Sequence, residues 1–232
     1  MFALQLLRPI VLPSVVKQTS TIIFLHGLGD TGQSWADILP MVRPSHTKII
    51  CPNAPVQAVT LNQGVVMPAW FDLRPLDQPK DEFGIKCAAE AIQEVIAVEI
   101  ASGIPADKIV LGGFSQGGAV ALYTGLTLPF RLAGILALST WLPLDKSIPL
   151  EKAQTPPILI CHGDEDNMIA LPRAEKTAQV LSTVNKNVEF KVYPGLGHTV
   201  ACEEELQDIS KWLEKVSSSN NQSDSNGLKS KL

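Results

Sequence analysis

The sequence has few charged residues, no long hydrophobic run and no paired cysteines, and each of these absences argues against a class of protein. Charged residues make up 18% of the 232 residues, below the roughly 25% that is usual for soluble domains. The net charge is −4, and no cluster of Lys and Arg suggests a nucleic-acid partner. No apolar run approaches the length of about 18 residues that indicates a membrane-spanning helix.

Four cysteines are present, but their spacing argues against a zinc site and against a disulfide scaffold. Cys51, Cys87, Cys161 and Cys202 lie far apart in the chain without any C-x-x-C pair. Such isolated cysteines are typical of reduced thiols in an intracellular protein. We therefore expect no metal at these residues.

The N-terminal segment, MFALQLLRPIVLPSVVKQ, is apolar but is not typical of a signal peptide. Arg8, Pro9 and Pro13 interrupt the continuous apolar region that a signal peptide needs. We predict an edge strand here. The segment also lacks acidic residues, which is a feature of organelle transit peptides and leaves that alternative open.

Short β-rich runs alternate with longer helical patterns along the chain. This alternation predicts an α/β fold with a mostly parallel central sheet and helices on both faces. We expect a single domain over residues 1–216, followed by a disordered polar tail over residues 217–232. The predicted strands lie near residues 20–26, 47–51, 108–114, 132–138, 157–162 and 188–193.

The clearest helical pattern begins near Asp81 and ends at Ser102-Gly103. Further helices are expected after Ser115, Pro172 and Cys202. The predicted apolar face of the first helix consists of Ile85, Ala89, Ile92, Ile96 and Ile100.

A glycine-rich loop, GLGDTG at residues 27–32, resembles two nucleotide-binding turns in its spacing. A dinucleotide-binding turn also needs an acidic residue about 20 positions later, but no Asp or Glu occurs between Asp37 and Asp72. A P-loop needs Lys before its Ser or Thr, and position 33 is Gln. The sequence therefore favours a glycine-rich loop whose backbone N–H groups point at an anion that develops above the sheet.

The pattern Gly113-Phe114-Ser115-Gln116-Gly117 is a G-x-S-x-G between a β-rich run and an Ala-rich helix. This is the context of a nucleophile elbow, in which a strained turn presents the serine. The alternative is a glycine-rich helix N-terminus in which Ser115 only caps the helix and has no catalytic role.

A serine nucleophile needs a histidine base and an orienting carboxylate, in the chain order Ser, Asp/Glu, His for this architecture. Of the four histidines, only His198 has this order and lies on a loop after a strand. His26 and His162 are predicted to make structural hydrogen bonds, and His46 to be solvated. The acid falls in the segment CHGDED, where spacing alone leaves Asp164, Glu165 and Asp166 open.

Six segments together resemble the acyl-protein thioesterase family, also called cytosolic lysophospholipases and carboxylesterases. They are IFLHGLGDTGQSWAD, ICPNAP, LGGFSQGGAVALYTGL, LALSTWLPL, CHGDEDNM and YPGLGHTV, and they extend over roughly positions 8 to 215. The resemblance implies an α/β-hydrolase that needs no metal or cofactor. It implies S-acylated proteins, lysophospholipids and small esters as substrates.

The resemblance also implies the roles of individual residues. Asp166 would be the acid beside His198 and Ser115, and the N–H groups of Leu28 and Gln116 would form the oxyanion hole. An acyl groove is predicted from apolar residues in segments expected to be loops, although ordinary core packing is the alternative for each of them. These residues are Val65, Val66, Met67, Trp70, Leu73, Trp141 and Leu142.

Two other functions remain open from the sequence: a small-ester carboxylesterase of the same fold and a non-enzymatic lipid-binding pseudoenzyme. We expect no nucleic-acid partner, transient contact with a membrane surface, and a monomer or weak dimer. The family resemblance implies a cytoplasmic enzyme. The final residues Ser230-Lys231-Leu232 match a peroxisomal address, which predicts residence in peroxisomes as well.

Overall fold

The fold is built from strands and helices that alternate as the sequence predicts. The computed structural model describes residues 4–75, 78, 80–150, 155–200 and 202–218. The strands are β1 Leu7–Leu12, β2 Ser20–Leu25, β3 Thr47–Asn53, β4 Val56–Val59, β5 Val65–Pro68, β6 Ile109–Phe114, β7 Gly134–Leu138, β8 Ile158–Gly163 and β9 Val188–Tyr193. The α-helices are α1 Gly32–Ile38, α2 Glu82–Ala101, α3 Gln116–Thr127, α4 Leu171–Ser182 and α5 Glu203–Ser218.

The central sheet has the strand order β1-β3-β2-β6-β7-β8-β9. Strand β1 pairs antiparallel with β3, and every other pair in this sheet is parallel. The predicted fold class is therefore confirmed, and so is the edge strand in the N-terminal segment. Parallel order places the C-terminal ends of β2, β6 and β8 at one edge, where a site can form.

Two hydrophobic cores lie on opposite faces of the sheet. On β2, Ile23 and Leu25 belong to the core that also contains side chains of α2, α3 and α4. The alternating residues Ile22 and Phe24 belong to the core that contains side chains of α1 and α5. Because successive strand residues point to opposite faces, a strand covered on both sides is apolar along its whole length.

Helix α2 begins and ends where the sequence predicts. The Asp81 carboxylate caps its first turn by accepting the Gly84 N–H at 3.1 Å. One residue of the predicted apolar face is wrong, since Ile100 is exposed. Glu99 is buried instead, with Lys48 Nζ 2.6 Å from its Oε1; Ile100 lies about 100° further around the helix and points away from the core.

The segment after β3 differs from the prediction because residues 65–68 form a strand and not a loop. Strands β4 and β5 pair antiparallel, with Val59 opposite Val65. The turn between them contains Gln63 and Gly64 in the left-handed region, with φ of 56° and 80°. So short an apolar run does not predict a strand by itself, because its partner strand supplies the hydrogen bonds.

The C-terminal boundary also differs from the prediction. Helix α5 extends to Ser218, and the buried Ser217 hydroxyl donates to the Leu213 carbonyl at 2.6 Å. The predicted tail therefore begins two residues too early. Its remainder, including Ser230-Lys231-Leu232, lies outside the described residues. Among the described helices, none is both long and apolar enough to cross a bilayer.

All four cysteines are free thiols. Burial raises the pKa of Cys51 to about 12 and that of Cys161 further still. Neither thiol is therefore a nucleophile near neutral pH.

Candidate active site

Ser115 lies on the sharp turn between β6 and α3, with φ of 53° and ψ of −120°. This backbone conformation is strained for a residue with a side chain, as in a nucleophile elbow. The flanking glycines are required by close packing. A Cβ on Gly113 would lie 2.4 Å from the carbonyl carbon of Gly117, and one on Gly117 would lie 2.3 Å from the Leu25 oxygen.

The structure brings Ser115, His198 and Asp166 into one chain of hydrogen bonds. Ser115 Oγ lies 3.0 Å from His198 Nε2, and His198 Nδ1 lies 2.7 Å from Asp166 Oδ2. Because a carboxylate only accepts, Nδ1 carries the proton and Nε2 is free to accept the serine hydroxyl. The imidazole is therefore oriented to remove the proton from Ser115.

Asp166 is held as a carboxylate by its surroundings. Its Oδ1 accepts the backbone N–H groups of Met168 and Ile169 at 2.9 and 2.8 Å. Burial opposes ionisation, but the hydrogen bond from His198 and these two N–H groups together lower the pKa of Asp166 below its ordinary value. A buried, ionised carboxylate stabilises the imidazolium that forms when His198 takes a proton.

The tertiary structure also separates the three acids that spacing left open. Asp164 is exposed, and its carboxylate accepts the N–H of Gly195 at 2.7 Å. Glu165 is exposed as well, and its backbone N–H donates to the Leu196 carbonyl at 3.1 Å. Asp166 alone among the three lies beside His198, as the family resemblance implies.

Two of the other histidines, His26 and His162, have structural contacts, in agreement with the sequence analysis. The buried His26 ring donates to the Gly27 carbonyl at 2.7 Å and accepts the Ala54 N–H at 3.1 Å. Burial lowers the pKa of His26, which favours the neutral ring. His162 Nε2 lies 2.7 Å from the Ile169 carbonyl, and His46 is a half-buried turn residue.

The glycines of the loop after β2 have packing roles that account for their nucleotide-like spacing. Gly29 has φ of 75°, and its N–H donates to the Pro68 carbonyl at 2.8 Å. A Cβ on Gly32 would lie 2.5 Å from the Cys51 oxygen, and the Gly32 N–H donates to Asn53. The spacing therefore fits this fold without any bound nucleotide.

Leu28 and Gln116 both line the cavity beside Ser115. Within the described part of the chain, neither backbone N–H group has an acceptor. Unpaired N–H groups next to a nucleophile are suited to hydrogen-bond a developing oxyanion. The two predicted oxyanion donors thus lie at the same cavity as the serine.

Ser115 and His198 open onto a cavity of about 520 Å³ whose walls are mostly apolar. Three of the predicted acyl-binding residues line it, namely Met67, Leu73 and Trp141. Residues that line it and that the sequence analysis missed include Leu61, Arg74, Met168, Ile169 and Arg173. The apolar pair that directly follows the acid loop was an available signal for Met168 and Ile169.

Four of the predicted acyl-binding residues do not line this cavity. Val65 and Val66 are successive residues of β5 and point to opposite faces of the β4–β5 hairpin. Both are exposed, so neither face of this two-stranded hairpin is covered at these residues. Trp70 is fully buried in the core, where its Nε1 donates to the His26 carbonyl at 2.8 Å. Leu142 is buried beside Thr177 of α4, whose Oγ1 accepts its N–H at 2.9 Å.

Among the described residues, no three His, Cys, Asp or Glu side chains lie close enough together to hold a metal ion. The groups that the cavity does offer are a hydroxyl, an imidazole, a carboxylate and free N–H donors. These groups are suited to acyl transfer.

The parallel sheet and its serine-bearing turn define an α/β-hydrolase. The chain matches the Phospholipase/Carboxylesterase family over residues 8–217. It is 42% identical over 225 residues to acyl-protein thioesterase 1 of Mycosarcoma maydis, with 88% of this chain and 93% of that protein covered. The protein of the same name from Neurospora crassa is 41% identical over 221 residues, with 88% and 90% covered.

A solved structure gives the same result. The crystal structure of Zea mays acyl-protein thioesterase 2 superposes with a TM-score of 0.81 at 33% identity, covering 90% of this chain and 98% of that one. The chain therefore belongs to the phospholipase/carboxylesterase family, and it is a hydrolase of the thioesterase and esterase type.

Proposed function

We propose that this hydrolase cleaves S-acyl thioesters of the palmitoyl type on proteins, and also lysophospholipids, through an acyl-enzyme on Ser115. The observation that carries the proposal is the hydrogen-bonded chain from Ser115 through His198 to Asp166, at the wall of an apolar cavity. The names of the relatives favour acylated proteins as substrates.

The first half of the reaction acylates the enzyme. His198 Nε2 takes the proton of the Ser115 hydroxyl, and Oγ attacks the thioester carbonyl carbon. The N–H groups of Leu28 and Gln116 donate to the oxyanion, where each such donor lowers the barrier by about 3–4 kcal/mol. The C–S bond then breaks, and the departing sulfur takes the proton from the imidazolium.

The second half releases the acyl group. His198 removes a proton from water, and the hydroxide attacks the ester carbonyl of acylated Ser115. The same oxyanion donors act again, and the proton returns from His198 to Ser115 Oγ as the carboxylic acid leaves. Throughout both halves, Asp166 keeps the ring in the tautomer that leaves Nε2 free.

The cavity supports a long acyl chain as the substrate group. Its walls include Leu61, Met67, Leu73, Trp141 and Ile169, and burial of each CH₂ group contributes about 0.8 kcal/mol to binding. A small-ester carboxylesterase would gain little from such walls.

Contact with a membrane surface is part of the proposal. Large apolar side chains are exposed around the cavity and the β4–β5 hairpin, including Leu61, Val65, Val66 and Met168. Two of them, Leu61 and Met168, also line the cavity. A transient, shallow contact of these side chains with lipid would bring the cavity close to membrane-held acyl groups.

Two measurements test the proposed function. A fluorophosphonate probe should phosphonylate Ser115 of the wild type rapidly, with loss of fluoride, and leave a folded Ser115→Ala variant unlabelled. No labelling of the wild type would indicate a lipid-binding pseudoenzyme. Ser115→Ala should lower kcat on a palmitoylated peptide by several orders of magnitude, and adding His198→Ala should cost little more, because members of such a unit are not additive.

A comparison of kcat/KM for long-chain thioesters and for acetyl esters separates the two enzymatic alternatives. The proposal expects the long-chain thioester to be preferred. A preference for acetyl esters would instead assign the protein to the small-ester carboxylesterases.

A further inference from the structure

Arg173 lies at the wall of the Ser115 cavity, in the first turn of α4. Its guanidinium carbon lies 4.5 Å from the centre of the Trp141 ring. The arginine therefore lies against an aromatic wall of the cavity that is proposed to bind the acyl chain. A positive charge is unexpected beside the apolar walls of such a cavity.

The charge of Arg173 has no partner within the part of the chain that the structure describes. The other arginine of the cavity, Arg74, is different, because its Nε lies 2.8 Å from Asp72 and its Nη2 lies 3.9 Å from Asp81. Burial lowers the pKa of Arg173, but a guanidinium remains protonated at physiological pH. Its N–H donors are thus available to an anion from outside the chain.

Arg173 also lies where the Ser115 cavity adjoins two smaller hollows. Trp141 and Arg173 line two further hollows of about 90 and 120 Å³ in addition to the Ser115 cavity. Among the described residues, the larger of these two hollows is also lined by Lys80, Lys176 and Asp145. The smaller hollow is lined by Asp72 and Asp81, which lie beside Arg74. An acyl chain that lies along Leu73 and Trp141 therefore comes close to the cationic side chain of Arg173.

We propose that Arg173 selects acyl groups that end in a carboxylate, so that the substrates include thioesters or esters of dicarboxylic acids. The planar guanidinium binds a carboxylate through two parallel hydrogen bonds. The contact of the guanidinium with the face of the Trp141 ring limits its movement. This inference rests on the proposed function, because it concerns the acyl group that Ser115 receives.

The test compares matched pairs of thioesters whose acyl chains have the same length and end in either methyl or carboxylate. For Arg173→Gln, the ratio of kcat/KM for the carboxylate to that for the methyl chain should fall by about 10- to 100-fold. Arg173→Lys should lower this ratio less than Arg173→Gln does. Lysine keeps the positive charge but cannot form the two parallel hydrogen bonds of the guanidinium. Arg131→Gln removes an exposed arginine that does not line the cavity and should leave the ratio unchanged.

A second measurement uses the wild-type enzyme and does not depend on the folding of any variant. A free dicarboxylic acid should inhibit more strongly than the monocarboxylic acid of equal length. An unchanged ratio in Arg173→Gln, or equal inhibition by the two acids, would overturn the inference.

Lysophosphatidic acid and monoacylglycerol form a further pair, with the anion on the leaving group. If only this pair responds to Arg173→Gln, the anion is recognised on the leaving-group side and the acyl-side assignment is wrong. Failure of the wild type to hydrolyse any neutral thioester would instead count against the proposed function itself.

Discussion

Gln116 and Trp70 are joined by a buried hydrogen bond, in which the Gln116 side-chain oxygen accepts the backbone N–H of Trp70 at 3.0 Å. The Gln116 amide also donates to the Phe71 carbonyl at 2.8 Å. The turn that carries Ser115 is therefore tied to the segment that leads into the cavity wall at Leu73. One residue thus supplies a proposed oxyanion donor from its backbone and an anchor from its side chain.

Gln116→Met keeps the size of the side chain but removes both hydrogen bonds. The free energy of unfolding should fall by about 1–3 kcal/mol or more, because the Trp70 N–H and the Phe71 carbonyl lose their buried partner. Urea unfolding measures this change. The exposed Gln33→Met is the control and should change stability by less than about 0.5 kcal/mol; equal losses in both variants would contradict the anchoring role.

Asp166→Asn should lower kcat far more than Asp164→Asn. An amide at position 166 can no longer hold His198 in the required tautomer or stabilise its charged form, whereas the Asp164 carboxylate accepts the N–H of Gly195 and is not part of the chain from Ser115 to Asp166. The measurement is kcat on one thioester for two variants with matching circular dichroism spectra. A reversed ranking would show that the acid has been assigned wrongly.

Leu73→Asp should impair long-chain substrates more than acetyl esters, because a carboxylate in the cavity wall opposes binding of each additional CH₂. Val65→Asp is the matched control, since Val65 is exposed and does not line the cavity. The readout is kcat/KM against chain length, with detergent-free soluble substrates. If Val65→Asp has the same chain-length dependence as Leu73→Asp, the cavity is not the acyl site.

Glu205 should make the stability of the protein fall as the pH rises from about 4 to about 8. Its carboxylate is fully buried without a hydrogen-bond partner in the described residues, and burial raises the pKa of Glu205 to about 8. Between its unfolded and folded pKa values, the folded state holds one proton more than the unfolded state, so the free energy of unfolding decreases with pH by up to about 1.4 kcal/mol per unit.

Glu205→Gln should flatten this dependence, while the exposed neighbour Glu204→Gln should leave it as in the wild type. Urea unfolding at about pH 6 and about pH 8 compares the three proteins. The same slope in Glu205→Gln and in the wild type would assign the pH dependence to another group.

The peroxisomal address stays a prediction, and we propose that the protein resides in both the cytoplasm and peroxisomes. A fluorescent protein fused to the last dozen residues should enter peroxisomes because a receptor binds Ser230-Lys231-Leu232. Deletion of Leu232 from the fusion is the control and should abolish import. A diffuse signal that is the same with and without Leu232 would remove the peroxisomal part of the proposal.

Local patterns in the sequence determined the α/β fold and most of its elements. Periodicity and caps are properties of neighbouring residues, so Asp81 predicted the start of α2 and the glycines around Ser115 predicted the nucleophile turn. The order of Ser115 and His198 along the chain, together with loop positions after strands, selected the serine and the histidine. The choice of Asp166 came from the family resemblance and not from spacing.

Only the tertiary structure decided which side chains meet in space. Spacing does not reveal that Asp164 turns toward Gly195 while Asp166 turns toward His198, because both follow the same strand. Apolar character alone does not separate the exposed Val65, the core residue Trp70 and the cavity residue Leu73, since their surroundings come from distant segments. Arg173 gains its place beside Trp141 in the same way, because α4 packs against a loop about 30 residues earlier in the chain.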